Sequence, residues 1–326
     1  MERMHKPEWN LGVAKIVIPT PFAVGDVNAY LIKGDALTLL DAGPNTPEAK
    51  EAIQAGLKEL GLRLDDVEQI ILTHHHPDHA GGLEFFSKDI PIYGHKYNNL
   101  LLHRTDEFYT KHKAFYEGLY SRFGLPPEWL PFLDRIKGPL KFMTDNRQLT
   151  GIIGEGDALP GLAGWVAIET LGHAQSHLSF YQEQEQTLLA GDHLIKTISS
   201  NPIIELPFEG VERPKSLLQY NESMKKLLPY DIKLAYSGHG IEMSNVHSLI
   251  EHRLERQHVR AMKVKEMIKD YPRSVFEVCQ SLFPEVYKKE LWLTISETIG
   301  QLDYLESIGE VRFEKNNENI DLYFAI

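Results

Sequence analysis

The sequence predicts an α/β protein, and three observations carry that reading. Short runs of β-branched and apolar residues alternate with helical stretches up to about residue 250. Several of those runs end in a glycine followed by His or Asp, namely Gly172-His173, Gly191-Asp192 and Gly238-His239. Of the 326 residues, 42% are hydrophobic and 25% charged, ordinary for a folded chain and sufficient for a large catalytic domain with a small appendage.

Taken in order, Lys15 to Ile18 reads as a strand, and Val27 to Ile32 and Ala36 to Leu40 as a hairpin pair around Lys33-Gly34-Asp35. Pro47 to Leu60 reads as an amphipathic helix with Ala49, Ile53, Leu57 and Leu60 on one face and Gly61 as its stop. Glu68 to Thr73 and Ile90 to Tyr93 are short strands. Residues from 96 to about 148 break this rhythm with a helical, aromatic-rich insertion that includes Phe108, Tyr116, Tyr120 and Trp129. It reads as a lid or pocket wall, or as a cap whose aromatics pack on one another. Strands resume at Val166 to Leu171, Ser179 to Tyr181, Thr187 to Ala190 and Ile232 to Tyr236.

A long helix from Ser248 to about Asp270 closes the first domain or links to a second. Helices at Ser274 to Phe283 and Tyr287 to Ser307 follow, then strands Glu310 to Glu314 and Ile320 to Ala325 around Asn316-Asn317. Three helices and a β-hairpin are the order of a small winged-helix module. The expected division is therefore 1–250 for a catalytic domain and 251–326 for a C-terminal domain.

Charge and cysteine use exclude several classes. The formal net charge is −12, so nucleic acid would meet a repulsive field without a local basic patch. In the tail, Leu291 to Ile308 holds no Lys or Arg but has Glu297, Asp303 and Glu306, which disfavours DNA binding. The tail reads instead as a packing, pocket-closing or homodimer-forming element. A single cysteine, Cys279, rules out an intramolecular disulfide and reads as core. Neither a signal peptide nor an apolar stretch of about 18 residues is evident, and a cytoplasmic location without membrane attachment is expected.

The strongest motif is Thr73-His74-His75-His76-Pro77-Asp78-His79. His74 and His76, two apart in extended backbone, point the same way and suit one cation. Asp78 and His79 leave the loop at a different angle, at a helix start marked by Pro77, and suit a second. His173, Asp192 and His239 each follow an apolar strand, so four strand ends would deliver metal-type ligands to one sheet edge. His75 and His193 read as neighbours of the site rather than ligands. His95, His103, His112, His247, His252 and His258 read as surface or helix residues, and Arg253, Arg256 and Arg260 as a solvated helix face.

These residues, in this order, resemble the metallo-β-lactamase superfamily over roughly residues 11 to 250, and its hydrolase branches, such as glyoxalase-II-like thioesterases. The resemblance implies a four-layer αβ/βα sandwich. It implies that His74, His76 and His173 hold one metal, that Asp78, His79 and His239 hold another, and that Asp192 bridges them. Asp41 and His177 match supporting positions of the family. Two Zn²⁺ per chain are expected, with Mn²⁺ or Fe²⁺ also suited to nitrogen and carboxylate ligands. Such a pair would pin a shared water and lower its pKa toward about 7, giving a bridging hydroxide. Asp78 and Asp192 are the carboxylates expected to take part in the chemistry.

The function expected is hydrolysis of a small thioester, ester or lactone. Lys141, Arg147 and Lys196 are positions that could meet a substrate carboxylate. A metal-dependent endoribonuclease or phosphodiesterase is the alternative that charge disfavours, so RNA is the weaker partner. A non-catalytic metal-binding regulatory protein is the third reading.

Overall fold

The computed structural model describes residues 6–132, 138–208, 210 and 212–326. Residues 133–137 of the expected insertion, and Met1 to His5 of the segment searched for a leader, lie outside the described residues. The chain divides into two compact units.

The first unit comprises residues 1–104, 139–200 and 228–247. It opens with β1 (Trp9–Asn10), β2 (Val13–Ile18), β3 (Val27–Ile32) and β4 (Thr38–Leu40), then α1 (Pro47–Glu59). Next come β5 (Gln69–Ile71), α2 (Pro77–Ala80), β6 (Ile92–Gly94), α3 (Asn98–Leu102) and, after a long excursion, β7 (Gly151–Ile152). These seven strands form one sheet in sequence order, antiparallel from β1 to β4 and parallel from β4 to β7. A second sheet, ordered β11-β10-β9-β8, comes from β8 (Trp165–Glu169), β9 (Leu178–Gln182), β10 (Thr187–Gly191) and β11 (Leu234–Ser237).

The apolar pattern explains the layers. Successive residues of a strand face opposite ways. Leu31, Leu39 and Ile70 join one core with Ile53 and Leu57 of α1, whereas Ile32, Leu40 and Ile71 join a second core with Phe180 and Leu189 of the other sheet. The first sheet is thus buried on both faces, which is why its strands are almost wholly apolar. The helix α1 is held at its start by Thr46, whose hydroxyl accepts from Ala49 N at 3.1 Å.

The second unit comprises residues 105–138, 201–227 and 248–326. It contains α4 (Asp106–Arg122), α5 (Ser216–Leu227), α6 (Val246–Met267) apart from its first two residues, α7 (Val275–Leu282) and α8 (Leu291–Ser307). A small antiparallel sheet, β12 (Arg273–Ser274), β14 (Asp321–Ala325) and β13 (Val311–Lys315) in that spatial order, completes it. Tyr116, Tyr120 and Phe123 of the insertion share a core with Val264, Val278, Cys279, Ile295 and Leu302. A cut at residue 250 would part those insertion residues from their packing partners.

The helix α5 has no counterpart in the expectations above, although Leu217, Tyr220, Met224 and Leu227 are spaced for one buried face. Arg253, expected on a solvated face, is buried, and Arg260 is paired with Glu297 at 2.5 Å. No helix among the described residues is long and apolar enough to cross a membrane.

Candidate metal centre

Each side chain of the motif is aimed by the strand or turn that carries it. The loop 72–76 leaves the end of β5, and His76, preceding Pro77, is extended at φ −64°, ψ 149°. Pro77 then opens α2, so Asp78 and His79 sit in a first helical turn. His173 lies between β8 and β9, Asp192 follows β10, and His239 follows β11.

The structure brings all seven side chains together. Ligand-type atoms of His74, His76 and His173 lie within 4.8 Å of one another, as do those of Asp78, His79 and His239. His74 Nε2 and His76 Nδ1 face each other at 2.9 Å. Asp192 faces both groups: Oδ1 is 3.3 Å from His79 Nε2, while Oδ2 is 3.5 Å from His173 Nε2 and 3.3 Å from His239 Nε2. Asp78 Oδ2 is 3.4 Å from His239 Nε2. Gly238 leaves room for this crowding, because a Cβ there would overlap the Asp192 carboxylate.

A second ring of groups turns these side chains. Asp41, at φ +60°, accepts from Thr73 N at 2.8 Å through Oδ1. Its Oδ2 accepts from Thr73 Oγ1 and from His79 Nδ1, both at 2.8 Å. With its hydroxyl proton directed at Asp41, Thr73 Oγ1 accepts from His74 Nδ1 at 2.9 Å. His239 Nδ1 donates to Asp26 O at 2.7 Å. In each case one imidazole nitrogen is occupied and Nε2 is turned into the cluster. His75 is buried against Ser176, whose Oγ lies 2.7 Å from Nδ1.

Electrostatics favour a cation here. Burial works against a charged Asp192, yet His239 and His79 hold its carboxyl well below the usual range. Burial likewise opposes charge on His239, but Asp192 and Asp78 push it up to about 10. His74 goes the other way, lowered by burial and by neighbouring imidazoles led by His79. His79 Nε2, His239 Nε2 and Asp192 Oδ1 are buried without a hydrogen-bond partner among the described residues. Orphaned nitrogen and carboxylate donors around shared points suit a divalent cation.

Other expectations are corrected by the structure. His95, read as a surface residue, is buried with Nε2 3.4 Å from Glu169 Oε1. Arg147 is not available to a substrate, because its guanidinium donates to the carbonyls of Leu83 and Phe86 at 2.6 Å and Ser87 at 2.9 Å. Lys196 is exposed. Thr73 stands out in the sequence only by its place before His74, and Ser176 by nothing.

Fold and site together define a class: the chain belongs to the metallo-beta-lactamase superfamily, whose family model matches residues 23–239. It is a metallo-hydrolase of that superfamily. The chain is 44% identical to "Probable metallo-hydrolase YqjP" of Bacillus subtilis, over 90% of this chain and 92% of that one. Its fold matches the crystal structure of metallo-beta-lactamase family protein TTHA1429 from Thermus thermophilus, with a TM-score of 0.79, 27% identity, and 97% and 99% of the two chains covered. A more distant relative is "Thioesterase pkgB" of Emericella nidulans, 21% identical over 79% of this chain and 60% of that protein.

Proposed function

We propose that the protein hydrolyses a small thioester, ester or lactone with two divalent cations, one held by His74, His76 and His173 and one by Asp78, His79 and His239. The observation that carries this reading is Asp192, whose two carboxylate oxygens face both histidine groups. Cations bound there would supply Lewis-acid polarisation of the scissile carbonyl and acidify a water toward a pKa of about 7. The chain's own part is to orient imidazole nitrogens through Asp41, Thr73 and Asp26, and to keep Asp78 ionised at the site. Burial of Asp78 is outweighed by His79 and His239, which hold it as a carboxylate that a cation can meet and that can pass a proton on.

The choice of a small carbonyl substrate over nucleic acid rests on charge, on the helix α8 and on the fungal thioesterase relative. The element order of the second unit supports a winged-helix reading of its C-terminal part. Its third helix, however, is buried on polar as well as apolar positions. Within that unit Arg213 pairs with Asp303 at 2.6 Å, and Gln301 Nε2 donates to Gln257 Oε1 at 2.6 Å. A helix so engaged has little face left for a DNA groove. Elemental analysis paired with a thioester, lactone, ester, phosphodiester and RNA panel tests the reading, with Asp192→Ala as control. Carbonyl-ester hydrolysis lost in the variant is expected; salt-sensitive RNA cleavage without ester hydrolysis would overturn the substrate class.

A further inference from the structure

Behind Asp192 lies a closed chain of hydrogen bonds that no motif announces. Asp192 N donates to His177 Nε2 at 3.1 Å, so that nitrogen carries a lone pair and Nδ1 carries the proton. His177 Nδ1 lies 2.8 Å from Thr170 Oγ1, which therefore accepts. Thr170 Oγ1 lies 2.9 Å from Ser179 Oγ, and Ser179 Oγ donates to Ala190 O at 3.2 Å. Every donor runs the same way round. The ring closes on the two residues flanking Gly191, whose φ of +51° sets the turn from β10 into Asp192. A Cβ on Gly191 would lie 2.8 Å from His177 Nε2, so imidazole and turn are in direct contact. Ser200 Oγ donates to Asp192 O, gripping the other side of the same residue. Thr170, His177, Ser179 and Ser200 are all buried, where a polar group left unmatched costs most.

We infer that Thr170 and Ser179 are positioning residues: through the His177 tautomer they fix the backbone of Asp192, and so the carboxylate that faces both histidine groups. The consequence for cations rests on the proposed metal site, whereas the consequence for the tautomer does not. The logic is a relay of single protons. Valine at 170 keeps the shape of threonine and removes the acceptor for His177 Nδ1–H. The buried Nδ1–H is then left without an acceptor, so the imidazole swings off the Asp192 N–H, its two tautomers mix, and the turn that carries the carboxylate loses its hold. Serine at 170 keeps the acceptor and the relay.

The test combines Thr170→Val, Thr170→Ser and Ser179→Ala, with two readouts on each protein. The first is the 15N signature of the His177 tautomer in the metal-free chain. The second is Zn²⁺ and Mn²⁺ affinity by chelator competition. Expected are an Nδ1–H tautomer in wild type and Thr170→Ser, a mixture of both tautomers in Thr170→Val as the imidazole is released, and a roughly 10- to 100-fold weaker cation affinity in the valine variant. Should the valine protein not fold, Ser179→Ala breaks the next link and is expected to show both changes at smaller amplitude. An unchanged tautomer and unchanged affinity in the folded variants would overturn the inference. Wild type that takes up no cation would overturn the metal reading, while the tautomer comparison would still decide the relay.

Discussion

Replacing Asp41 with asparagine isolates the group that turns His79 toward the cluster. At φ +60° asparagine is tolerated nearly as well as aspartate, so the backbone has no reason to move. The amide oxygen can keep the bond from Thr73 N, but an NH₂ group now stands where Oδ2 accepted from Thr73 Oγ1 and His79 Nδ1 at 2.8 Å. Turning the amide over only moves the clash to the Thr73 N–H. Two hydrogen bonds to a buried charge are inverted, each worth about 1.5–3 kcal/mol, a loss of about 3–6 kcal/mol before relaxation. His79 relaxes by shifting its proton to Nε2, the atom that faces Asp192, which transfers part of the cost to cation binding. Chelator competition should show Zn²⁺ affinity reduced by about 10- to 100-fold, and metal-free melting should show a lower Tm. Wild-type affinity and Tm in Asp41→Asn would refute the assignment of Asp41 as the group orienting His79.

Gly238→Ala should abolish cation binding and hydrolysis while the far-ultraviolet circular dichroism stays that of a folded chain, because its methyl would overlap Asp192. Chelation should lower Tm, since it leaves the Asp78 and Asp192 carboxylates buried with only the imidazoles of His79 and His239 to compensate them. The pH dependence of that chelated state has a definite sign. His239 is raised from 6.5 to about 10, so the stability it contributes is full below about 6.5 and is lost as pH rises through about 10, which a Tm series from pH 6 to 10 would read. Arg147→Met should lower stability in urea denaturation by stripping three carbonyls of their donor, about 1–3 kcal/mol for each left unmatched, with cation affinity unchanged.

Much of the first unit was legible because strands buried on both faces are written as short apolar runs and their ends as glycine turns. Lys15 to Ile18 and Val27 to Ile32 fall on β2 and β3, and the His-x-His-x-Asp-His spacing marks one loop without any fold in hand. The supporting groups were not legible. Thr73, Thr170 and Ser179 are ordinary residues whose roles depend on partners brought close by the fold: Asp41 meets Thr73 across 32 positions. Arg147 departs from expectation because its partners are backbone carbonyls some 60 positions away, which no local pattern marks. The helix α5 is legible by spacing, but it lies outside the alternation of strands and ligand-bearing turns.

The three-part composition of the second unit has a consequence for how the chain matures during synthesis. Tyr116, Tyr120 and Phe123 leave the ribosome long before Ile295, Ile299 and Leu302, the residues they share a core with. Synthesis at about 5–20 residues per second leaves α4 waiting on the order of ten seconds for that core. During that interval its aromatic face is exposed to other nascent chains and to chaperones. A stop codon near residue 250 would therefore leave part of the aromatic insertion without its core, rather than release a finished first domain.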